Sequence, residues 1–406
     1  MKKFKQTQIG RIPEEWEVVK LGEVAEINMG QSPPSSAYNE KGDGIPFLQG
    51  KSEFGYIYPI PKKYTTQFFK IAEENDILIS VRAPVGDVNL CPFKLCIGRG
   101  LGSIRIKNND YLFYFYYLRK IKKLIENIGK GSTFKAINKD ELTNLKIPLP
   151  PIPEQKAIVE ILSTADDAIQ KSNEIISQTR NLKNGLMQEL LTKGIMHTEF
   201  KDSEIGRIPG DWELLELKDI GEFKYGYTAT SKKKDAGIKF LRITDIKSDG
   251  TIDWENLPEC EITDVDYKKY KLRVGDVLFA RIGATAGKTC YIDRDIKGVF
   301  ASYLIRFQTK ENIVSKFVYF YTQSRIYWSQ ALRQREGQLK KGMNANVISH
   351  LKIPVPDTVE EQQKIASILS IIDRKLELEK SRKQKFERIR QGLMNDLLTG
   401  NRRVNV

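Results

Sequence analysis

Four stretches of the chain hold residue types that could do catalytic chemistry. Gly283-Ala284-Thr285-Ala286-Gly287-Lys288-Thr289 has the glycines, lysine and hydroxyl of a phosphate-binding loop. Such a loop needs four residues between its glycines so that backbone N–H groups wrap the phosphates, and here there are three. The glycines read instead as a tight turn after a strand. Asp211, Glu216 and Lys218 mimic the acid-then-E-x-K spacing of a metal-dependent nuclease. A DNA methyltransferase needs a cofactor loop and an Asn/Asp-Pro-Pro-aromatic motif to hold a flipped base. Ser32-Pro33-Pro34-Ser35 lacks both the amide and the ring, and Gly98-Arg99-Gly100-Leu101-Gly102 is a glycine pattern on its own. The four cysteines, Cys91, Cys96, Cys260 and Cys290, form no C-x-x-C pair, and the histidines are only His197 and His350. They read as reduced thiols of a cytoplasmic protein rather than a zinc site. The chain is therefore expected to hold no catalytic site, no metal and no cofactor.

Residues suited to binding nucleic acid are placed more regularly. Arg or Lys can pair with guanine edges, Asn or Gln with adenine, while hydroxyls and lysines suit phosphates. Two places recur along the chain. One is the turn after an apolar strand, with Ser80 and Arg82 and then Arg281 and Thr285. The other is the loop after an aromatic-rich helix. It holds Lys130, Ser132 and Lys135 with Asn138 following, and then Arg335, Lys340 and Lys341 with Asn344 following at equal spacing. The competing reading is a solvated loop. Lys232, Lys233 and Lys234 read as such a loop. The overall balance, 66 basic against 52 acidic residues for a net charge of +14, favours a polyanionic partner. No apolar run approaches the roughly 20 residues of a membrane span, and no secretory signal follows the basic start.

The elements that must position these residues occur twice. IGRIPEEWE at 9–17 returns as IGRIPGDWE at 205–213, LKIPLP at 145–150 as LKIPVP at 351–356, and GLMQELLT at 185–192 as GLMNDLLT at 392–399. Three matches in one order mark an internal duplication. The duplication also weakens the catalytic motifs. At the positions of Asp211, Glu216 and Lys218 the first copy has Glu15, Lys20 and Gly22, and the glycine-lysine loop faces APVGDVNL at 83–90. Each body reads as mixed α/β, with short strands such as 76–80 and 276–280 and aromatic helices over 111–128 and 315–332 whose rings fit a core better than a base stack.

A proline-rich stop closes each body, at Pro148, Pro150, Pro151 and Pro153 and again at Pro354 and Pro356. Glu154-Gln155 and Glu361-Gln362 then open helices expected over about 154–192 and 361–399. Their seams are Leu162, Ile169, Ile176, Leu186 and Leu190 in the first, and Leu369, Ile372, Leu376, Leu393 and Leu397 in the second. Ser172, Lys183, Glu379 and Lys383 interrupt them. At about 1.5 Å per residue each helix spans roughly 58 Å. A helix with one apolar stripe must bury it, and its own repeat is the nearest partner. An antiparallel pair would relate the copies by a pseudo-two-fold axis and act as a ruler for separated half-sites on a duplex.

This organisation resembles the specificity subunit of type I restriction-modification enzymes over almost the whole chain. The resemblance rests on the I-G-x-I-P-x-x-W anchors, the I-P-L-P-x-x-x-E-Q junction and the GLM-x-x-LLT helix ends. It implies an α+β protein, with two similar target-recognition domains at 1–152 and 196–357 and helical spacers at 153–195 and 358–406. The two long antiparallel helices would form a coiled coil between the domains. It further implies that each domain reads half of a bipartite, asymmetric double-stranded DNA site. The helical seams would dock two modification subunits, and restriction subunits would join afterwards. Adenine methylation with S-adenosylmethionine, and cleavage with ATP and magnesium, would belong to those partner chains.

Overall fold

The computed structural model describes residues 3–130, 136–231, 237–247, 249–336 and 342–404. Its contacts divide the chain into two compact units, Met1–Asn173 with Ser381–Val406, and Glu174–Lys380. Each unit thus takes one body, the first part of that body's own helix, and the last part of the other body's helix.

Unit 1 is built on four antiparallel strands, β1 (Ala25–Met29), β2 (Ile77–Ser80), β3 (Val88–Leu90) and β4 (Leu101–Ile106), in the order β3-β2-β4-β1. Helix α1 (Tyr111–Lys120) packs on them and buries Phe113 through Leu118. The continuous apolar run of β2 suits a strand covered on both faces, and all four of its residues are buried. Asp76, just before β2, is buried under a two-pronged pairing with Arg105 of β4. Helix α2 (Ile152–Leu190) then leaves the body.

Unit 2 repeats the plan with β5 (Gly221–Tyr225), β6 (Val277–Ala280), β7 (Thr289–Tyr291) and β8 (Leu304–Thr309), paired in the equivalent order. Its aromatic helix α3 (Ser315–Tyr321) buries Phe317, Val318, Tyr319, Phe320 and Tyr321, and helix α4 (Val359–Leu397) follows the body. The aromatic faces expected from the sequence therefore pack into cores.

Two expectations are corrected. The single helices expected over 111–128 and 315–332 are each broken, into Tyr111–Lys120 and Lys122–Lys130, and into Ser315–Tyr321 and Arg325–Glu336. In unit 2 the break has a local cause: the Ser324 hydroxyl accepts the Tyr327 N–H and caps the second piece. The long helices have the expected 39 residues but start two residues early. Pro153 lies in the first turn of α2, where its missing N–H costs nothing.

The repeated anchors now have a physical role. In unit 1 the Trp16 indole donates to Glu154 (2.8 Å), a carboxylate that also binds Arg403 beyond the end of α4 (2.9 Å). In unit 2 Trp212 donates to Glu361 (3.2 Å), which meets His197 beyond the end of α2 (2.8 Å). The neighbouring glutamines tie the junction to the body. Gln155 accepts the Asp110 N–H and Gln362 the Val314 N–H. Met394, Leu397 and Leu398 complete the core around Trp16, and Met187, Leu190 and Leu191 the core around Trp212.

The helices run antiparallel. In unit 1 Glu154 and Asp166 of α2 meet Arg403 and Arg390 in turn, and in unit 2 Lys183 of α2 and His197 beyond it meet Asp373 and Glu361. Of the seam residues, Leu162, Ile169, Ile176, Leu190, Leu369, Leu376 and Leu397 are buried, and Leu186, Ile372 and Leu393 are half-buried. Most of the seam is thus buried within the chain.

All four cysteines are buried and unpaired. Burial pushes the Cys91 thiol up to about 12 and those of Cys96 and Cys260 up to about 11. A raised thiol pKa leaves the neutral, unreactive form at pH 8. Ellman's reagent at pH 8 is expected to titrate no thiol in the folded chain and all four in urea. Rapid labelling of any one without denaturant would contradict that burial.

Candidate nucleic-acid interface

At the exit of the central strand, three segments of each body meet. Val81, just past β2, donates its N–H to Gly100 O (2.9 Å) and accepts the Ile137 N–H (2.9 Å). Arg281, just past β6, donates to Tyr303 O (3.0 Å) and accepts the Met343 N–H (2.8 Å). These bonds make Val81 and Arg281 equivalent, and with them Arg82 and Ile282. The third segment leads into a short helix capped by an asparagine. Asn138 accepts the Glu141 N–H and Asn344 the Val347 N–H, both at 2.9 Å. The two regions singled out in the sequence, the post-strand turn and the segment beyond the aromatic helix, thus converge in both units.

The individual side chains are less uniform. Ser80 is buried, its hydroxyl donating to Pro84 O and accepting the Asp87 N–H, each at 2.9 Å. It shapes the turn and does not face a ligand, a correction that follows from its place on a strand covered on both faces. Arg82 and Thr285 are exposed. Arg281 is half-buried, its guanidinium 5.1 Å from the centre of the Tyr225 ring and its Nη1 donating to Ser302 O (3.4 Å). Asn138 and Asn344 are exposed, but each side-chain oxygen is engaged as a cap. Lys130 and Arg335 lie in the helices Lys122–Lys130 and Arg325–Glu336. Ser132, Lys135, Lys340 and Lys341 lie outside the described residues, as does the Lys232–Lys234 run.

The residues of the catalytic look-alikes are engaged elsewhere. The Lys288 amine donates to Ile246 O (2.8 Å), and burial holds its pKa below the usual lysine value. Asp211 contacts His197, while Glu216 pairs with Lys218. No group of three His, Cys, Asp or Glu side chains is arranged to hold a metal among the described residues.

The sequence matches the family model for the type I restriction modification DNA specificity domain twice, over residues 13–179 and 209–388. The chain belongs to that family. Each match starts at an anchor and runs into the following long helix, the same span in both repeats. This specificity chain is 30% identical to the MjaVIII type I restriction enzyme specificity subunit of Methanocaldococcus jannaschii over 413 residues, 99% of this chain and 96% of that one. It is 55% identical to the putative MjaX specificity subunit of the same organism over 195 residues, and there it spans only 46% of the relative's length. A crystal structure of the type I restriction-modification S subunit from M. genitalium superposes with a TM-score of 0.66 at 17% identity and 98% coverage of both chains, which shows a shared fold.

The specificity chain also carries candidate site residues that sequence reasoning missed. Tyr225, Ile282 and Tyr303 surround Arg281 and are 42%, 38% and 55% exposed. Tyr225 also accepts the Ala345 N–H (3.1 Å) and so braces the capped short helix. No local motif marks them. Only the pairing of β5 with β8, and of Arg281 with Tyr303, brings them together.

Proposed function

We propose that each unit reads one half of a bipartite, asymmetric DNA site, and that this chain directs the catalytic work of other chains without turnover of its own. One observation carries the reading: the same three-segment face is built twice with different side chains. Unit 1 presents Arg82 beside glycine-rich backbone, and unit 2 presents Arg281 among Tyr225, Ile282 and Tyr303. Equal scaffolds with unequal reading groups suit two different half-sites. The recognition bodies correspond to 1–152 and 196–357, with 153–195 and 358–406 as spacers. Lys130, Ser132, Lys135, Lys340 and Lys341 join the reading face under this proposal, with the phosphate backbone as their natural target.

Docking of two modification subunits falls to the outer helix faces, because the seam is internal. Ile161 and Ile389 of unit 1 and Leu182, Ile371 and Leu378 of unit 2 are exposed there. Restriction subunits join the same complex. Adenine methylation with S-adenosylmethionine, and cleavage with ATP and magnesium, are assigned to those partners. We assign the chain to the cytoplasm on its DNA substrate and its four unpaired thiols. Among the described residues no helix is long and apolar enough to cross a membrane.

The test is to map methylated motifs in cells carrying this chain with its modification partner. Exchanging residues 21–145 for the body of another family member is expected to rewrite one half-site and leave the other intact. Adding one turn near the middle of a helix is expected to change the spacer alone. A swap that rewrites both halves, or a palindromic native motif, would sink the modular reading.

A further inference from the structure

The reading face of unit 2 carries more exposed apolar surface than its counterpart. Scattered exposed apolar residues need no explanation, but three around one arginine on a binding face do. The comparison with unit 1 is position by position. Gly100 of unit 1 is equivalent to Tyr303, since each carbonyl accepts the N–H of the residue leaving the central strand. A Cβ at Gly100 would lie 2.6 Å from Gln49 O, so unit 1 admits no side chain there. Arg82 stands in the place of Ile282, and Met29 in that of Tyr225 by strand register.

Tyr303 is also held firmly at its base. Its carbonyl accepts the Arg281 N–H, while the flanking Ser302 N–H donates to Tyr227 O (2.8 Å) and the Leu304 N–H to Ala301 O (2.8 Å). The turn is fixed and the ring projects from it. Beside it, Arg281 is braced by the Tyr225 ring and Ser302 O and makes no ion pair among the described residues. A projecting apolar ring next to an arginine with no acidic partner suits DNA in one specific way. The ring enters between two base pairs, and the guanidinium neutralises the phosphate brought close by the resulting kink.

We propose that Tyr303, supported by Ile282, acts as an apolar wedge that unstacks one base step in the half-site read by unit 2, and that unit 1 reads its half without such a wedge. The proposal rests on the DNA-reading function above. It assigns the two units different modes of recognition, local distortion for unit 2 and contact along an undistorted groove for unit 1.

The experiment uses the full chain assembled with its modification subunit and a duplex carrying the mapped methylation motif. 2-Aminopurine is placed in turn at every position except the methylated bases, whose own extrusion would brighten the probe. The expected result is a severalfold fluorescence rise at one step, in the unit 2 half-site only. Tyr303→Ala is expected to abolish that rise and weaken motif binding about 10-fold, while Tyr303→Phe keeps both. Because Tyr303 is more than half exposed, Tyr303→Ala is expected to melt within about 2 °C of the parent, which controls for folding. No bright step in the parent, an unchanged rise in Tyr303→Ala, or equal rises in both halves would overturn the wedge while leaving DNA reading intact. Failure of the parent complex to prefer the motif over an unrelated duplex would overturn DNA reading, and the wedge with it.

Discussion

Replacing Asp166 with alanine is expected to destabilise unit 1 by about 3–5 kcal/mol, the usual result of leaving buried charges without their partner. Asp166 lies on α2 and is 1% exposed. Its Oδ1 accepts the Tyr56 hydroxyl (2.7 Å) and Arg390 Nη1 from α4 (3.0 Å), and Arg119 of α1 lies 3.9 Å from its Oδ2. Burial, the hydrogen bond to Asp166 and its negative charge all push the Tyr56 phenol above its ordinary pKa. Burial, then the charge of Arg390, pulls Arg119 below the ordinary guanidinium value. The carboxylate is thus what lets two guanidinium groups share one site, and alanine there would leave them facing each other. Urea denaturation at fixed pH, followed by circular dichroism, measures the loss. Removing all three charges together, with Asp166→Leu, Arg119→Met and Arg390→Met, is expected to recover much of it. A single-variant cost under about 1 kcal/mol would show that the cluster does not hold α2 against α4.

The second large effect is expected at Trp212. Trp212→Ala removes one of the largest fully buried side chains of unit 2, and such truncations cost about 3–5 kcal/mol. The ring meets Phe317 and His197 edge-on, at 6.3 Å and 6.1 Å between centroids. It also sits against Gly194, whose φ of +66° and whose missing Cβ, 2.8 Å from Trp212 Cζ2, admit only glycine without movement. Without the indole, Glu361 keeps His197 and the Ile195 N–H but loses a donor, and the end of α2 loses its seat. Scanning calorimetry should show the transition of unit 2 falling by several degrees, with Trp16→Ala doing the same to unit 1. Equal small shifts in both transitions would mean that the tryptophans are replaceable and the anchors are conserved between repeats for another reason.

Much of the fold was legible because the repeats share the residues that make it. Trp16 and Trp212, Glu154 and Glu361, and Gln155 and Gln362 are identities between the copies, and each pair makes the same bond in its own unit. The antiparallel pairing was legible, but how far each helix end joins the core of the other body was not. The spacing of Leu190 or Leu397 shows an apolar stripe but not which body it serves. The site was legible as places and not as side chains. The post-strand turn and the pre-helix segment were found, yet Ser80 points into the body, and the shift that equates Arg82 with Ile282 needs the register of the sheet. Tyr303 left no trace, because a lone aromatic at a strand start reads as ordinary core until its exposure is seen.

The exchanged helix ends also set the order in which a growing chain can finish its parts. Unit 2 is one continuous stretch, Glu174–Lys380, whereas unit 1 needs Met1–Asn173 and then Ser381–Val406. During synthesis the N-terminal body emerges first, and domains ordinarily fold as they emerge. Here that body lacks Met394, Leu397 and Leu398 from its core, and Arg390 and Arg403 from its buried carboxylates, until all of unit 2 has been added. The first body to be made is the last to be completed. Until then its exposed seam around Trp16 and Leu162 is the place where a nascent chain would call on a chaperone.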